Sequence, residues 1–232
     1  MKRLLALLVL LFGLALPAGA APRHRAHHAA DWTAMVAATP EGGMRMGNPK
    51  AKVKLVEYLS YTCPHCALFT VEAFGPITQE YVKSGKVSFE LRAALRDRLD
   101  FVAAMLARCG GRTHFFPLTE AIMAAQTDWE PQAIAWDSAH PADLTKNGAA
   151  AAAIVEHSGL DAIAAKQGVT AAMLSRCMND AAARKTVEAT TKDAWEVRKI
   201  GGTPGFFING AYQDGVFTWA TLEPKLQAAL KG

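Results

Sequence analysis

The sequence predicts an α/β fold split by a helical insertion. Three observations carry that prediction. A β-rich run from Val53 to Tyr61 leads into a helix opened by Pro64. A second strand signal returns only near the C-terminus, from Gly205 to Val216. Between them lie about a hundred Ala- and Met-rich residues with helical spacing and almost no strand signal.

The elements follow in order. Lys2 and Arg3, the apolar run Leu4 to Leu16, Pro17 and Ala18-Gly19-Ala20 make a cleavable export signal over residues 1–20. The run is too short for the roughly 20 residues of a spanning helix. Residues 21–30 read as a disordered tether. Its His24, His27 and His28 are a polar tail, metal binding being the alternative. From Trp32 the pattern is that of a folded domain, expected to comprise residues 31–97 and 200–232 around an insertion at 98–199. Pro64 suits the first position of a helix, and Gly75-Pro76 is expected to break or kink it. Val87, Phe89 and Leu91 alternate with Ser88, Glu90 and Arg92, the pattern of a half-buried strand. The insertion should hold several helices, interrupted at Gly110-Gly111, Pro131, Pro141 and Gly159. Phe206-Phe207-Ile208 is a strand, Asn209-Gly210 a hairpin turn, and Ala211 to Val216 the returning strand. Thr218 to Leu230 closes the chain as a helix, with Pro224 in its first turn.

Composition sets limits. The chain of 232 residues carries a formal charge of +4, which falls to +2 once Lys2 and Arg3 leave with the signal. That is too weak a bias for nucleic acid or a membrane surface. Export places Cys63, Cys66, Cys109 and Cys177 in an oxidising compartment, where four cysteines read as two bridges with three possible pairings.

Cys63-Pro64-His65-Cys66 carries the chemistry. A C-x-x-C where a strand meets a helix is a redox arrangement. At a helix start, free N–H groups and the helix dipole favour an anion, so Cys63 becomes the attacking thiolate. Two intervening residues place Cys66 on the first turn, Pro64 fixes that turn, and His65 is expected to add positive charge beside the sulfur. What stabilises the thiolate stabilises the reduced form and makes the disulfide more oxidising. The rival reading is half a zinc site, but Cys109 and Cys177 form no second C-x-x-C and no H-x3-5-H follows. Neither metal nor cofactor is expected.

Glu57 shares one face of its strand with Val53, Leu55, Leu59 and Tyr61. Burial there would raise its pKa and let it exchange protons with Cys66; the alternative is an edge position open to water. Thr203-Pro204 stands just before a strand, where Pro can be the first residue or form a cis turn.

Taken together, Glu57, Cys63-Pro64-His65-Cys66, Gly75-Pro76 and Thr203-Pro204 before a hairpin, around a helical insertion, resemble the DsbA-type periplasmic disulfide oxidases over about residues 46–230. The resemblance implies a thioredoxin-like fold with Pro204 cis against the dithiol. It implies that Thr203 offers its backbone to an incoming peptide. The implied substrates are unfolded or reduced exported proteins. A quinone-linked DsbB-type inner-membrane oxidase would reoxidise Cys63 and Cys66. Relatives with the same motif act as isomerases or reductases, often with a dimerisation stalk; residues 31–50 are too short for one, so a monomer is expected. A non-enzymatic chaperone or metal-binding protein is the third reading.

Cys109 and Cys177 both fall in the helical block and are read as a structural disulfide pinning it, with two buried free thiols as the alternative. Met105, Met123, Met173 and Met178 are read mostly as core. His114, His140 and His157 have no partner pattern.

Overall fold

The computed structural model describes residues 31–232; the segments expected to be an export signal (1–20) and a tether with three histidines (21–30) lie outside the described residues. Six strands form one sheet in the order β1-β2-β4-β3-β5-β6. They are β1 (Val36–Ala38), β2 (Met44–Met46), β3 (Val53–Leu59), β4 (Val87–Ala93), β5 (Gly205–Ile208) and β6 (Ala211–Tyr212). The central pair β3 and β4 is parallel, and β5 lies antiparallel on the other side of β3, with Glu57 opposite Phe206.

α1 (Pro64–Pro76) connects β3 to β4. Pro76 does not break it: the backbone stays helical and widens into π turns over Ile77–Val82. The wider turn tolerates the missing proline donor. Seven helices lie between β4 and β5 in the chain: α2 (Arg98–Cys109), α3 (Gly111–Ala124), α4 (Gln126–Ala139), α5 (Gly148–His157), α6 (Leu160–Lys166), α7 (Ala171–Met178) and α8 (Ala181–Lys192), the last running into π turns at Asp193–Val197. α9 (Trp219–Lys231) ends the chain.

One hydrophobic core joins the sheet to these helices: Val53, Leu55, Leu59 and Phe89 share it with Phe69 of α1, Met105 and Leu106 of α2, and Phe116 of α3. Met105, Met123 and Met178 are buried in it, and Met173 packs at its edge. A smaller cluster of Tyr58, Ala94, Ala194, Ile200 and Phe207 fills the opposite face.

That second layer corrects the half-buried reading of β4. Ser88, Glu90 and Arg92 are all buried. Arg92 donates from Nε to Glu90 at 2.6 Å and from Nη1 to the Tyr58 hydroxyl at 3.0 Å, while Thr39 donates to Glu90 at 2.7 Å. Polar residues are tolerated inside when they are paired this way.

Three further expectations are corrected. Pro131 lies inside α4 and not between helices; Trp129 and Ala133 on either side of it are buried, and that packing outweighs the lost hydrogen bond. Pro224 falls in the second turn of α9, because Thr218 and Thr221 form a capping box one turn earlier. The returning strand is only Ala211–Tyr212, although Asn209 and Gly210 do take the left-handed conformation (φ 50° and 84°) that a tight hairpin requires. β1 and β2 carry no clear sequence signal and form by pairing onto β4.

Candidate active site

β3 ends at Leu59, and a short turn in which the Cys63 N–H donates to the Ser60 carbonyl (3.3 Å) delivers Cys63 to the cap position of α1. Cys63 has extended backbone (φ −93°, ψ 117°), so its side chain projects across the open end of the helix. Pro64 follows at the first helical position, where no donor is needed. Cys63 and Cys66 are free thiols and both are buried. The Cys63 thiol lies 3.2 Å from the Thr203 carbonyl oxygen, to which it donates.

Thr203-Pro204 is a cis peptide bond, placed by β5 at the end of β3 beside the dithiol. Residues 140 positions apart thus meet at one point.

The two sulfurs sit in opposite environments. Hydrogen bonding from the Cys66 thiol, with help from the Thr203 hydroxyl and the backbone N–H groups of Cys66 and His65, holds Cys63 down at about 4 against the cost of its burial. Cys66 is pushed well up, first by burial and then by its bond to Cys63 and the nearby Glu57 charge. His65 is exposed, and its backbone N–H is among the groups that hold the thiolate.

Glu57 is 2% exposed, one of its oxygens has no hydrogen-bond partner, and burial followed by the charge of Cys63 raises it to about 8. Beside it lies a cavity of about 10 Å³ lined by Phe69, Thr70, Ile77, Phe89 and Thr119 among others. That is about the room one water needs, so the carboxyl has space for a proton carrier. The edge alternative for Glu57 is removed, because β3 is flanked by β4 and β5.

Sequence reasoning missed the residues that hold the approach turn. Asp97, the cap of α2, accepts from the Thr62 hydroxyl at 2.6 Å; Asp100 accepts from the Tyr61 N–H at 2.7 Å; Gln126 donates to the Tyr61 carbonyl at 2.7 Å. Glu130 of α4 also lies near enough to feel the Cys63 charge, although burial is the main reason its carboxyl is raised. The only local signal was Asp97 and Asp100 at a helix start, which reads as ordinary capping.

Cys109 and Cys177 are bridged, with Cα atoms 5.2 Å apart. His140 and His157 stack on the two faces of Trp136. No group of three metal-ligating side chains occurs among the described residues, and none of their helices is long and apolar enough to cross a membrane.

A central β3–α1 junction bearing a dithiol, faced by a cis-proline, defines a thioredoxin-fold protein of the dithiol class. The chain belongs to the thioredoxin family: the family model described as Thioredoxin matches residues 39–228. A structure of protein-disulfide isomerase from Novosphingobium aromaticivorans is 32% identical, with a TM-score of 0.71 over 82% of this chain and 98% of that one. Alpha-DsbA1 of Wolbachia pipientis shares the fold at 24% identity and a TM-score of 0.64, over 81% of this chain and 90% of that one. A relative from Rickettsia bellii, named as a candidate protein-disulfide oxidoreductase, is 30% identical over 73% of this chain. This chain spans 58% of that relative's length.

Proposed function

We infer that this protein is a thiol–disulfide oxidoreductase that acts mainly as an oxidase, introducing disulfides into exported proteins. The observation that carries the reading is the asymmetry of the dithiol: Cys63 held at about 4 and Cys66 raised. A thiolate this stable favours the reduced protein, so its disulfide readily accepts electrons.

The steps balance as follows. In the oxidised protein Cys63 and Cys66 are joined. A substrate thiolate attacks Cys63 Sγ; the Cys63–Cys66 bond breaks, and Cys66 leaves as a thiolate that takes a proton. A second substrate thiolate attacks the substrate sulfur of the mixed disulfide and displaces Cys63. The substrate loses two electrons and the protein gains them, ending as the free dithiol. Glu57 is the group placed to give and recover the Cys66 proton. Thr203 and cis-Pro204 form the backbone edge against which a peptide would lie, with the helical block 98–199 as an insertion into the domain formed by 31–97 and 200–232.

Turnover then requires a two-electron acceptor, which the DsbA resemblance assigns to a quinone-linked DsbB-type membrane protein. Export to the periplasm, by the signal at 1–20, and a monomeric state belong to the same reading. The name of the Novosphingobium relative favours a second reading, an isomerase held reduced. Trapping the pair by rapid alkylation in the cell separates the two: mainly oxidised Cys63 and Cys66 support the oxidase and mainly reduced ones the isomerase, while a potential near −270 mV against glutathione would also defeat the oxidase.

A further inference from the structure

The turn between β3 and α1 is fastened by the helical insertion. Tyr61 and Thr62 are its two central residues, closed by the hydrogen bond from Cys63 N–H to the Ser60 carbonyl. The Tyr61 N–H donates to Asp100 Oδ1 at 2.7 Å, and the Tyr61 carbonyl accepts from Gln126 Nε2 at 2.7 Å. The Thr62 carbonyl accepts from Arg96 Nη1 at 3.3 Å, and the Thr62 hydroxyl donates to Asp97 Oδ2 at 2.6 Å. All four partners come from residues 34 to 65 positions further along the chain.

Asp100 is fully buried, with its second oxygen accepting from the Arg96 N–H at 3.0 Å. Burial raises its carboxyl to about 7 against the pull of those hydrogen bonds. Gln126 is buried as well. A buried carboxyl and a buried amide meet the two peptide units that flank Tyr61; buried polar groups are tolerated when paired this way, and the pairing holds that residue still. Two residues on, the chain reaches Cys63, whose acidity depends on ångström-scale placement against the Cys66 thiol, against Thr203 and against the first N–H groups of α1.

We propose that Asp100 and Gln126 are positioning residues for the dithiol: by gripping both sides of the Tyr61 residue they set where Cys63 sits, and so make the helical insertion a determinant of the redox equilibrium at Cys63 and Cys66. The proposal rests on the dithiol being the redox centre. In this arrangement the sheet and α1 supply the chemistry, and α2 and α4 tune it.

The test compares the purified protein with Asp100→Leu and Gln126→Leu, each of which removes the group that grips Tyr61. Two quantities are read: the ionisation of Cys63 by thiolate absorbance, and the equilibrium with reduced and oxidised glutathione. Loss of one such buried hydrogen bond should raise the Cys63 pKa by about one unit and make the disulfide about tenfold harder to reduce. Thr190→Val is the control. It removes a buried hydrogen bond elsewhere among the helices, from the Thr190 hydroxyl to the Val187 carbonyl (2.9 Å), and leaves the peptide groups gripped, so both readouts should stay within about twofold. Should Asp100→Leu fail to fold, Gln126→Asn, which draws the amide back by one methylene, decides the matter. Folded variants that titrate and equilibrate like wild type overturn the proposal, as does a Thr190→Val shift of equal size. A wild type inactive on reduced substrates, with the two variants still displaced, defeats the oxidase reading and leaves the grip standing; an active wild type with unmoved variants does the reverse.

Discussion

The two cysteine pairs differ in placement more than in chemistry. Cys109 ends α2 and Cys177 lies in α7, and their bridge spans 68 positions between two packed helices. Cys63 and Cys66 share one helix start three residues apart. There the first sulfur meets hydrogen-bond donors, and the second meets apolar packing and a buried carboxyl. Closing a long loop makes a staple; unequal stabilisation of two neighbouring thiolates makes a reactive couple. Oxidation state alone would not tell the pairs apart, whereas the backbone around each does.

The sharpest way to break that comparison is by substitution. Cys63→Ser should reduce disulfide formation in a reduced test protein to background. Replacing both Cys109 and Cys177 by Ala should leave turnover within about threefold while lowering stability by about 4 kcal/mol, the chain-entropy value for a loop of that length. Denaturant unfolding measures the second effect. A folded Cys109→Ala/Cys177→Ala protein without activity would erase the distinction between staple and couple.

Next in size is a pH effect peculiar to the reactive pair. Cys63 is depressed to about 4 from an ordinary 9. Its ionisation therefore stabilises the reduced protein in full above about 9, and that stabilisation is lost as pH falls through about 4. The melting temperature of the reduced protein relative to the oxidised one should rise steadily across that window. A flat difference would mean that Cys63 titrates like an ordinary thiol.

Glu57 runs the opposite way. Its folded value of about 8 lies above the ordinary 4.5, so its contribution is most favourable below 4.5 and is lost as pH rises through about 8. Glu57→Gln should melt on the order of 5 °C higher than wild type above pH 8, with the gap closing in acid. The same variant should open the Cys63–Cys66 disulfide more slowly, as seen in single-turnover thiol exchange. A variant that melts lower at alkaline pH would show that Glu57 is paired after all.

The smallest effect is expected at His65. Since its contribution to Cys63 is the backbone N–H, His65→Ser should shift the Cys63 titration by about one unit or less. A shift of several units would restore the imidazole to the centre of the electrostatics.

Glu57 and Glu90 show where sequence reasoning reaches its limit. Both lie on central strands and both are buried. Glu57 was legible because alternation put it among Val53, Leu55 and Leu59. Glu90 and Arg92 looked solvent-facing by the same rule, because nothing near them in sequence announces that Thr39 and Tyr58 will pair with them or that the π turns at Asp193–Val197 will pack on that face.

What the sequence determined by itself was local: the strand that runs into a proline-opened helix, the dithiol at that junction, the carboxyl on the inward face, and the Asn209-Gly210 turn. Such features follow from steric and hydrogen-bonding rules acting over a few consecutive residues. Only the tertiary structure decided how Tyr61 is gripped by Asp100 and Gln126, where Thr203 meets Cys63, and that β4 is buried on both faces. Those outcomes depend on groups tens of positions apart arriving at the same few ångströms, where burial changes the energy of every charge and hydrogen bond they bring.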